Sequence, residues 1–312
     1  DRVRVAPALG RSRDKRAVDL LLEAYKPRKA HPRETLALTE ALGLSADKRA
    51  VEPLQGAWDY MRTADMQMEG ELPGHLQALR LRILEALARV GGPEAVAVLS
   101  TAVNDADVRV VAEAARGLGI LRVKDSVPAL QQLAAKGGNL GQTAIEALGE
   151  IGDKRAINTL EQLLTGSDKF VEAQARYALY RLGKKDMLPA LEKALLGDPG
   201  DGKAAILSAY YLVKLDKNPG ITFLDEQARK PNSPLAPLAA EALGKTDNPR
   251  AVLPLVEAMS SPDAPTRLMC AKGLSRLGGA RAIAALKKLR LDSNVSVRAQ
   301  AILGLADWGE FD

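Results

Sequence analysis

Apolar and polar positions along the chain follow a pattern that returns about every 31 residues, far longer than the period of one helix or strand. Its clearest mark is the triplet Ala-Leu-Gly, whose first residue we take as the anchor of each repeat. Successive anchors are separated by 33, 45, 31, 30, 31, 33, 31, 31 and 31 residues. A fixed period of this size predicts an array of stacked helical repeats. The anchors are Ala8, Ala41, Ala86, Gly117, Ala147, Ala178, Tyr211, Ala242, Gly273 and Gly304.

Two leucine positions are constant within the repeat. The residue after the anchor is leucine in all ten repeats, from Leu9 to Leu305. The residue thirteen after the anchor is leucine in all nine repeats that extend so far, from Leu21 to Leu286. This spacing predicts two helices in each repeat, each contributing one buried leucine.

Helix-capping residues stand before both predicted helices. Asp14, Asp47 and Asp153 lie six residues after an anchor, where the second helix is predicted to begin. Their side chains can accept hydrogen bonds from the free amides of a first helical turn. Six further residues of this kind stand ten before an anchor, where the first helix is predicted to begin: Asp107, Asp168, Asp201, Asn232, Asp263 and Asn294.

These patterns predict an all-α fold, a right-handed α-solenoid of about nine to ten two-helix repeats. We expect a single solenoid domain over residues 1–312, with an insertion around residues 56–77 that accounts for the 45-residue step. Short isolated helices are marginal in water, so each pair must stack on its neighbours to form a core. Both ends begin or stop within a repeat, which leads us to expect a fragment of a longer protein or a mature chain without its leader.

The repeat resembles a known family. The strings "ALGEIGDKRAINTL" (147–160) and "ALGLSADKRAVEPL" (41–54), with a Val-Arg pair six residues before the anchor as at Arg298, resemble the short HEAT-like repeats of the phycobilisome-lyase type. The arginine of that pair is also present at Arg267 but is replaced by Gly141 and Glu172 elsewhere. The resemblance implies a HEAT-like solenoid over the whole chain. Such repeats serve bilin lyases, scaffolds and regulatory modules, so the family alone does not define a function.

The composition of the chain argues against several kinds of catalytic and metal site. The chain is 46% hydrophobic but only 4% aromatic, and it contains one cysteine and two histidines. These numbers leave too few ligands for a zinc cluster, and the sequence has neither a Gly-x-Ser-x-Gly nucleophile motif nor a Gly-Lys-Ser/Thr phosphate loop. The His-Glu pairs that HEAT-repeat di-iron hydroxylases require do not occur. We therefore predict no catalytic residue, no metal and no cofactor.

The sequence says little about the compartment. No run of 18 apolar residues occurs and the first residues lack a signal-peptide pattern, so no segment of this chain is predicted to span a membrane. A cytoplasmic location is favoured, while a periplasmic or anchored mature form stays open.

The first departure from the repeat is the insertion, which is rich in aromatic residues and methionine. Trp and Tyr are favoured at interface centres, and Met adapts to irregular partners. These residues are therefore candidates for partner binding; the alternative is that the prolonged helix buries them in a local core. They are Trp58, Tyr60, Met61, Met66 and Met68.

The second departure is the position before the anchor, which is polar in most repeats but tyrosine at Tyr177 and Tyr210. Equivalent residues of stacked helices lie about 10 Å apart, which predicts two tyrosines side by side on a charged surface. With Tyr180, Tyr211 and Phe223 nearby, an aromatic patch for a partner is one interpretation. The alternative is that these repeats pack differently and bury the rings.

The third departure concerns charge. The net charge is +5, and residues 1–33 hold ten Lys or Arg against four Asp or Glu. One column of arginines, eight residues after the anchor, falls at the start of the second helix, where a cation is slightly unfavourable. It is predicted either to form a ridge for an acidic partner or to be a solvated rim. The column comprises Arg16, Arg49, Arg155, Arg250 and Arg281, and is interrupted by Glu94, Asp125 and Asp186.

Taken together, the residues favour a non-catalytic scaffold or adaptor that binds a protein or peptide partner on the solenoid surface. A bilin lyase or chromophore-binding subunit is the alternative, and it is implied by the resemblance only. Binding of nucleic acid is the third reading and is disfavoured, because the basic column is interrupted and aromatic residues are few.

Overall fold

The structure, a computed structural model, describes residues 2–26, 31–67, 74–197 and 201–310. Within these ranges the regular elements are nineteen α-helices and short 3-10 turns. The chain divides into two compact units, Asp1–Leu160 and Glu161–Asp312.

The first unit alternates the first and second helices of five repeats. The first helices are α1 (Arg2–Ser12), α3 (Pro32–Ser45), α5 (Gly74–Val90), α7 (Val108–Ile120) and α9 (Gly138–Ile151). The second helices are α2 (Lys15–Ala24), α4 (Val51–Gln67), α6 (Pro93–Ala102), α8 (Val127–Lys136) and α10 (Ile157–Leu163), within which the division between the units falls.

The second unit continues the same alternation. Its first helices are α11 (Lys169–Arg181), α13 (Gly202–Lys214), α15 (Ala236–Lys245), α17 (Ala264–Leu277) and α19 (Val295–Asp307). Its second helices are α12 (Met187–Lys193), α14 (Asn218–Arg229), α16 (Val252–Ala258) and α18 (Gly279–Leu289).

The two leucine columns form the core of each repeat, as the pattern predicts. All nine leucines of the second helices are buried, and nine of the ten in the first helices are buried, Leu9 being half-buried. Removing such a side chain leaves a cavity that neighbouring helices cannot fill, which costs about 2–5 kcal/mol for a buried leucine.

Consecutive first helices touch through the glycine of the Ala-Leu-Gly triplet. A methyl group added at Gly43 would lie 2.8 Å from the Cα of Ala86, and one at Gly244 would lie 2.5 Å from the Cα of Gly273. The third residue of one triplet therefore packs on the anchor of the next repeat, with no room for a side chain. Because the triplets lie near the C-terminal ends of the first helices, these ends lie side by side along one edge within each unit.

The predicted caps are confirmed at most positions. Asp107, Asp168, Asp263 and Asn294 accept backbone amide hydrogens at the starts of their helices. The prediction is wrong at two positions. Asp201 precedes α13 but its side chain accepts no capping hydrogen bond, and Asn232 adopts a left-handed turn with φ 56° while α15 begins at Ala236. A capping residue has extended backbone angles, which the left-handed turn at Asn232 does not provide.

The insertion prolongs a second helix, as predicted. Helix α4 has 17 residues, against 10 in α6 and α8. The loop part of the insertion, residues 68–73, lies outside the described residues.

Candidate functional site

The turns between the first and second helices of the repeats, here called the AB turns, carry the predicted arginine column. In the turn before α10, the carboxylate of Asp153 accepts the backbone N–H of Arg155 at 2.9 Å and its guanidinium Nη2 at 2.8 Å. Asp47 binds Arg49 with the same geometry, at 2.9 and 2.8 Å. The Arg155 hydrogen bonds lower the pKa of Asp153 to about 2. The aspartate thus caps the helix and neutralises the arginine.

Three arginines of the column also reach the preceding repeat. Arg49 forms an ion pair with Asp19, and Arg155 donates from Nη2 to the carbonyl oxygen of Lys124 at 2.8 Å. Arg250 donates to the carboxylate of Asp216 at 3.1 Å. These contacts give each cation a partner that compensates for its unfavourable place at a helix start.

Arg16 and Arg281 lack this link to a neighbouring repeat in the part of the chain that the structure describes. The guanidinium of Arg16 binds its own cap, Asp14, at 3.0 Å, and its side chain is 90% exposed. Arg281 is exposed, and Gly279 occupies the position of the cap. All five arginines are at the surface, so their role in binding a partner stays a prediction, although three of them also hold repeats together.

The AB turns concentrate the positive charge of the protein. They contain twenty Lys or Arg against nine Asp or Glu, whereas the rest of the chain has six more acidic than basic residues. Each unit presents such an edge, with eleven against six in the first and nine against three in the second. Cations are favoured at the C-terminal ends of the first helices, which explains part of this excess. We count as an AB turn the residues from three to eight after each anchor, which include the ends of the flanking helices: 11–16, 44–49, 89–94, 120–125, 150–155, 181–186, 214–219, 245–250 and 276–281.

Four lysines in the AB turns of the first unit are held little by the rest of the fold. Lys15, Lys48, Lys124 and Lys154 are exposed, and within the described ranges their side chains form no ion pair. Lys124 nevertheless contributes to lowering the pKa of Asp153 in the next repeat. In three of the five AB turns of the first unit, a lysine thus stands between an aspartate and the arginine that this aspartate neutralises.

Two of the partner-binding candidates in the insertion, one aromatic residue and one methionine, are buried. Trp58 and Met61, three residues apart on α4, lie on its buried face. The guanidinium carbon of Arg80 lies 5.5 Å from the centre of the Trp58 ring. The expectation that Trp58 and Met61 face a partner is corrected, because both side chains are buried in the fold. Tyr60 is 37% exposed and stays a candidate.

Two methionines of that set cannot be placed at a surface or in a core. The side chain of Met66 and the whole of Met68 lie outside the described residues.

The tyrosines at and next to the anchors of α11 and α13 form a stack rather than an exposed pair. Tyr177 is fully buried, and its ring stacks on that of Tyr211 with centroids 4.4 Å apart. Tyr210 is half-buried, with its centroid 5.2 Å from that of Tyr211. The expectation of two tyrosines side by side on the surface is thus wrong for Tyr177. The reason is that Tyr211 replaces the small anchor residue, so its ring fills the space beside Tyr177.

A second set of links between secondary elements was not expected from the sequence. Arg80 binds the carboxylate of Asp105 at 2.6 Å, and Arg267 binds Asp292 at 2.7 Å. In both cases the arginine stands six residues before the anchor, and the aspartate follows it by 25 residues in the turn before the next repeat. The common spacing is the signal that identifies these pairs.

Groups with reactive side chains are engaged in the fold. His31 caps α3, its Nδ1 accepting the amide of Arg33 at 3.3 Å. Burial raises the pKa of the Cys270 thiol to about 12, so this thiol is protonated at neutral pH. No group of three or more potential metal ligands lies together in the described ranges. In the same ranges, no helix is long and apolar enough to cross a membrane.

Paired helices at a fixed period, with each pair buried against the next, define an α-helical repeat protein. A family model of HEAT repeats matches residues 76–141, 138–210 and 221–306, and the chain belongs to this HEAT-repeat family. A model of the PBS lyase HEAT-like repeat matches residues 1–26.

Comparison with individual proteins adds three similar structures. No curated protein matches the chain. Human deoxyhypusine hydroxylase in complex with glycerol is 21% identical, with a TM-score of 0.45, over 84% of this chain and 96% of that one. The complex of CpcE and CpcF of phycocyanin lyase from Nostoc is 22% identical, with a TM-score of 0.47, over 86% and 92%. An engineered protein is 18% identical, with a TM-score of 0.34, over 98% and 93%.

Proposed function

We propose that this chain is a non-catalytic interaction module that binds an acidic segment of a protein partner along its AB turns. The observation that carries the proposal is the excess of eleven positive charges in these turns, in a chain whose net charge is +5. A surface with an excess of one charge raises the rate at which it associates with partners of the opposite charge.

A protein partner suits this edge better than a nucleic acid. Every AB turn except the last contains at least one carboxylate, so negative charges recur along the edge. A phosphate backbone carries closely and evenly spaced negative charges and meets these carboxylates unfavourably. A protein can instead place carboxylates opposite the lysines and hydrogen-bond donors opposite the aspartates.

A pair of charge-reversal variants tests the proposal. One variant replaces Lys15, Lys48 and Lys154 of the AB turns by glutamate. The control replaces Lys136, Lys193 and Lys288, which are equally exposed but lie at the C-terminal ends of second helices, on the opposite side of the repeats. Both variants change the net charge by the same amount, so they differ only in where the charge is reversed.

The measurement is fluorescence anisotropy of a labelled glutamate homopeptide at low ionic strength. We expect the AB-turn variant to bind about tenfold more weakly and the control to change by less than about threefold, since exposed charges act mainly over a Debye length. Equal losses in both variants would show that only net charge matters. Binding of duplex DNA that is tighter than that of the peptide would favour the nucleic-acid function instead.

A second candidate is a bilin lyase or chromophore-binding subunit, which the match of residues 1–26 to the PBS lyase HEAT-like repeat favours. Incubation of the chain with a phycobilin, followed by gel filtration, tests it. A visible absorption band that co-elutes with the protein supports this candidate, and a colourless protein peak rejects it.

A further inference from the structure

Two successive AB turns of the second unit have a lysine at the position where three turns of the first unit have an aspartate cap. In the first unit the position six residues after the anchor is an aspartate cap in three of five repeats, as at Asp47. In the turns that follow α11 and α13 the same position is Lys184 and Lys217. The carboxylate that neutralises a cation elsewhere is thus replaced by another cation.

Lysines at these turns lie over the tyrosine rings of α11 and α13. The ammonium Nζ of Lys185 lies 4.3 Å from the centre of the Tyr180 ring. The Nζ of Lys214 lies 5.2 Å from the ring centre of Tyr177 and 5.7 Å from that of Tyr210. Lysines over aromatic faces at these distances are held by the ring quadrupole. We call Lys185, Lys214 and these three tyrosines the lysine–tyrosine cluster.

The tyrosines occupy positions that are otherwise small or polar. Tyr180 stands at the third position of the triplet, which is glycine in five of the other nine repeats, and Tyr211 stands at an anchor that is alanine or glycine in the other nine repeats. Large side chains thus stand at the positions where other first helices pack closely through small residues. Departure from a rule that the rest of the chain obeys is expected at functional sites.

The nearby carboxylates are partly engaged by other cations. Asp216 accepts a hydrogen bond from Arg250 at 3.1 Å, and Glu161 pairs with Lys184 at 2.7 Å. Lys185 is exposed and Lys214 is half-buried, each at an end of a turn. Side chains already held in place lose less conformational entropy when a ligand binds, which favours affinity.

We infer that the lysine–tyrosine cluster is the anchoring point for the carboxylates of the acidic partner, an inference that rests on the proposed function. The cluster combines fixed cations with the half-buried ring of Tyr210, and Tyr is enriched where interfaces concentrate their binding energy. Carboxylates at this point are bound by Lys185 and Lys214, and the aliphatic part of the partner's side chains contacts Tyr210.

Lysine footprinting of the whole chain tests the inference. The protein is acetylated with and without the glutamate homopeptide, and the rate at each lysine is read by mass spectrometry. We expect Lys185 and Lys214 to be protected at least about threefold more than Lys15 and Lys48. Protection at Lys15 and Lys48 without protection in the cluster would overturn this inference but not the proposed function. Protection at no lysine would overturn both.

A variant pair gives an independent readout. Replacing Lys185 and Lys214 by alanine should weaken binding of the homopeptide about tenfold, whereas replacing the exposed Lys193 and Lys288 by alanine should change it by less than about twofold. Equal effects of the two pairs contradict the inference. Far-UV circular dichroism establishes that each variant keeps its helices.

The contribution of the rings is tested separately. Tyr180→Leu keeps the apolar volume beneath Lys185 but removes the aromatic face. We expect the homopeptide to bind about threefold more weakly, because the lysine is no longer held over the ring. Unchanged affinity would show that the tyrosine does not position the cation.

Discussion

The ion pair between Arg267 and Asp292 is a buried link from α17 to the turn before α19, and we predict that Asp292→Asn destabilises the protein strongly. Nε and Nη2 of Arg267 donate to the two carboxylate oxygens at 2.7 and 3.0 Å. Their side chains are 13% and 8% exposed. The same carboxylate accepts the backbone N–H of Asn294 at 2.8 Å.

The magnitude follows from this geometry. Removing one partner of a buried ion pair costs about 3–5 kcal/mol, because the remaining charge is left without compensation. An asparagine at position 292 can keep the bond to the Asn294 amide only by turning its own amide N–H groups toward the guanidinium. Because the site keeps some exposure, we expect a loss of about 2–4 kcal/mol in the free energy of unfolding.

The assay is urea-induced unfolding followed by far-UV circular dichroism. The control is Asp216→Asn, which breaks the ion pair with Arg250. In that pair the arginine side chain is 49% exposed and the aspartate side chain is 77% exposed. An exposed pair contributes less than about 1 kcal/mol, so the control should shift the midpoint far less. Equal shifts would refute the reasoning from burial.

The pH dependence gives a second check on the same pair. The hydrogen bond from Arg267 lowers the pKa of Asp292, so its stabilisation is present above the ordinary carboxyl pKa and is lost as the pH falls through the lowered value. The difference in stability between the natural chain and Asp292→Asn should therefore shrink in acid. A difference that stays constant down to strongly acidic pH would contradict the assignment.

Four further predictions follow from close contacts and shifted pKa values. Gly119→Ala should destabilise the chain by about 1–3 kcal/mol, because a methyl group there lies 2.8 Å from the next helix. Gly56→Ala, where nothing lies within 4 Å, should instead stabilise it by about 0.5–1 kcal/mol in thermal unfolding. Cys270, with its pKa near 12, should resist a disulfide reagent at neutral pH until urea is added; rapid reaction of the folded protein contradicts its burial. Carbon NMR titration should place the pKa of Asp153 near 2 and closer to 3.8 in Arg155→Met; no change would exclude Arg155 as the cause.

The sequence predicted the elements well because the repeat imposes the same local physics many times. Leu148 and Leu160 are buried as their columns require, and Asp153 caps its helix as its position requires. The prediction at Asn232 is wrong, because the backbone of this one copy makes a left-handed turn there, which prevents capping.

Candidate contacts were harder to predict, because side-chain type does not determine burial. Trp58 and Tyr177 belong to residue types that interfaces favour, yet helix packing places both in the interior. The sequence revealed the arginine column. Its links to Asp19 and Asp216 could be found only from the structure, which shows which parts of neighbouring repeats lie next to each other.

The sequence alone determined the repeat, its two helices, its leucine core and the family. The reason is that positions buried in every repeat carry apolar residues at the same spacing along the chain. Only the tertiary structure decided which of the unusual residues face water and which cations are paired. Those properties depend on neighbours about 25 to 34 residues away, and the pattern within one repeat does not record them.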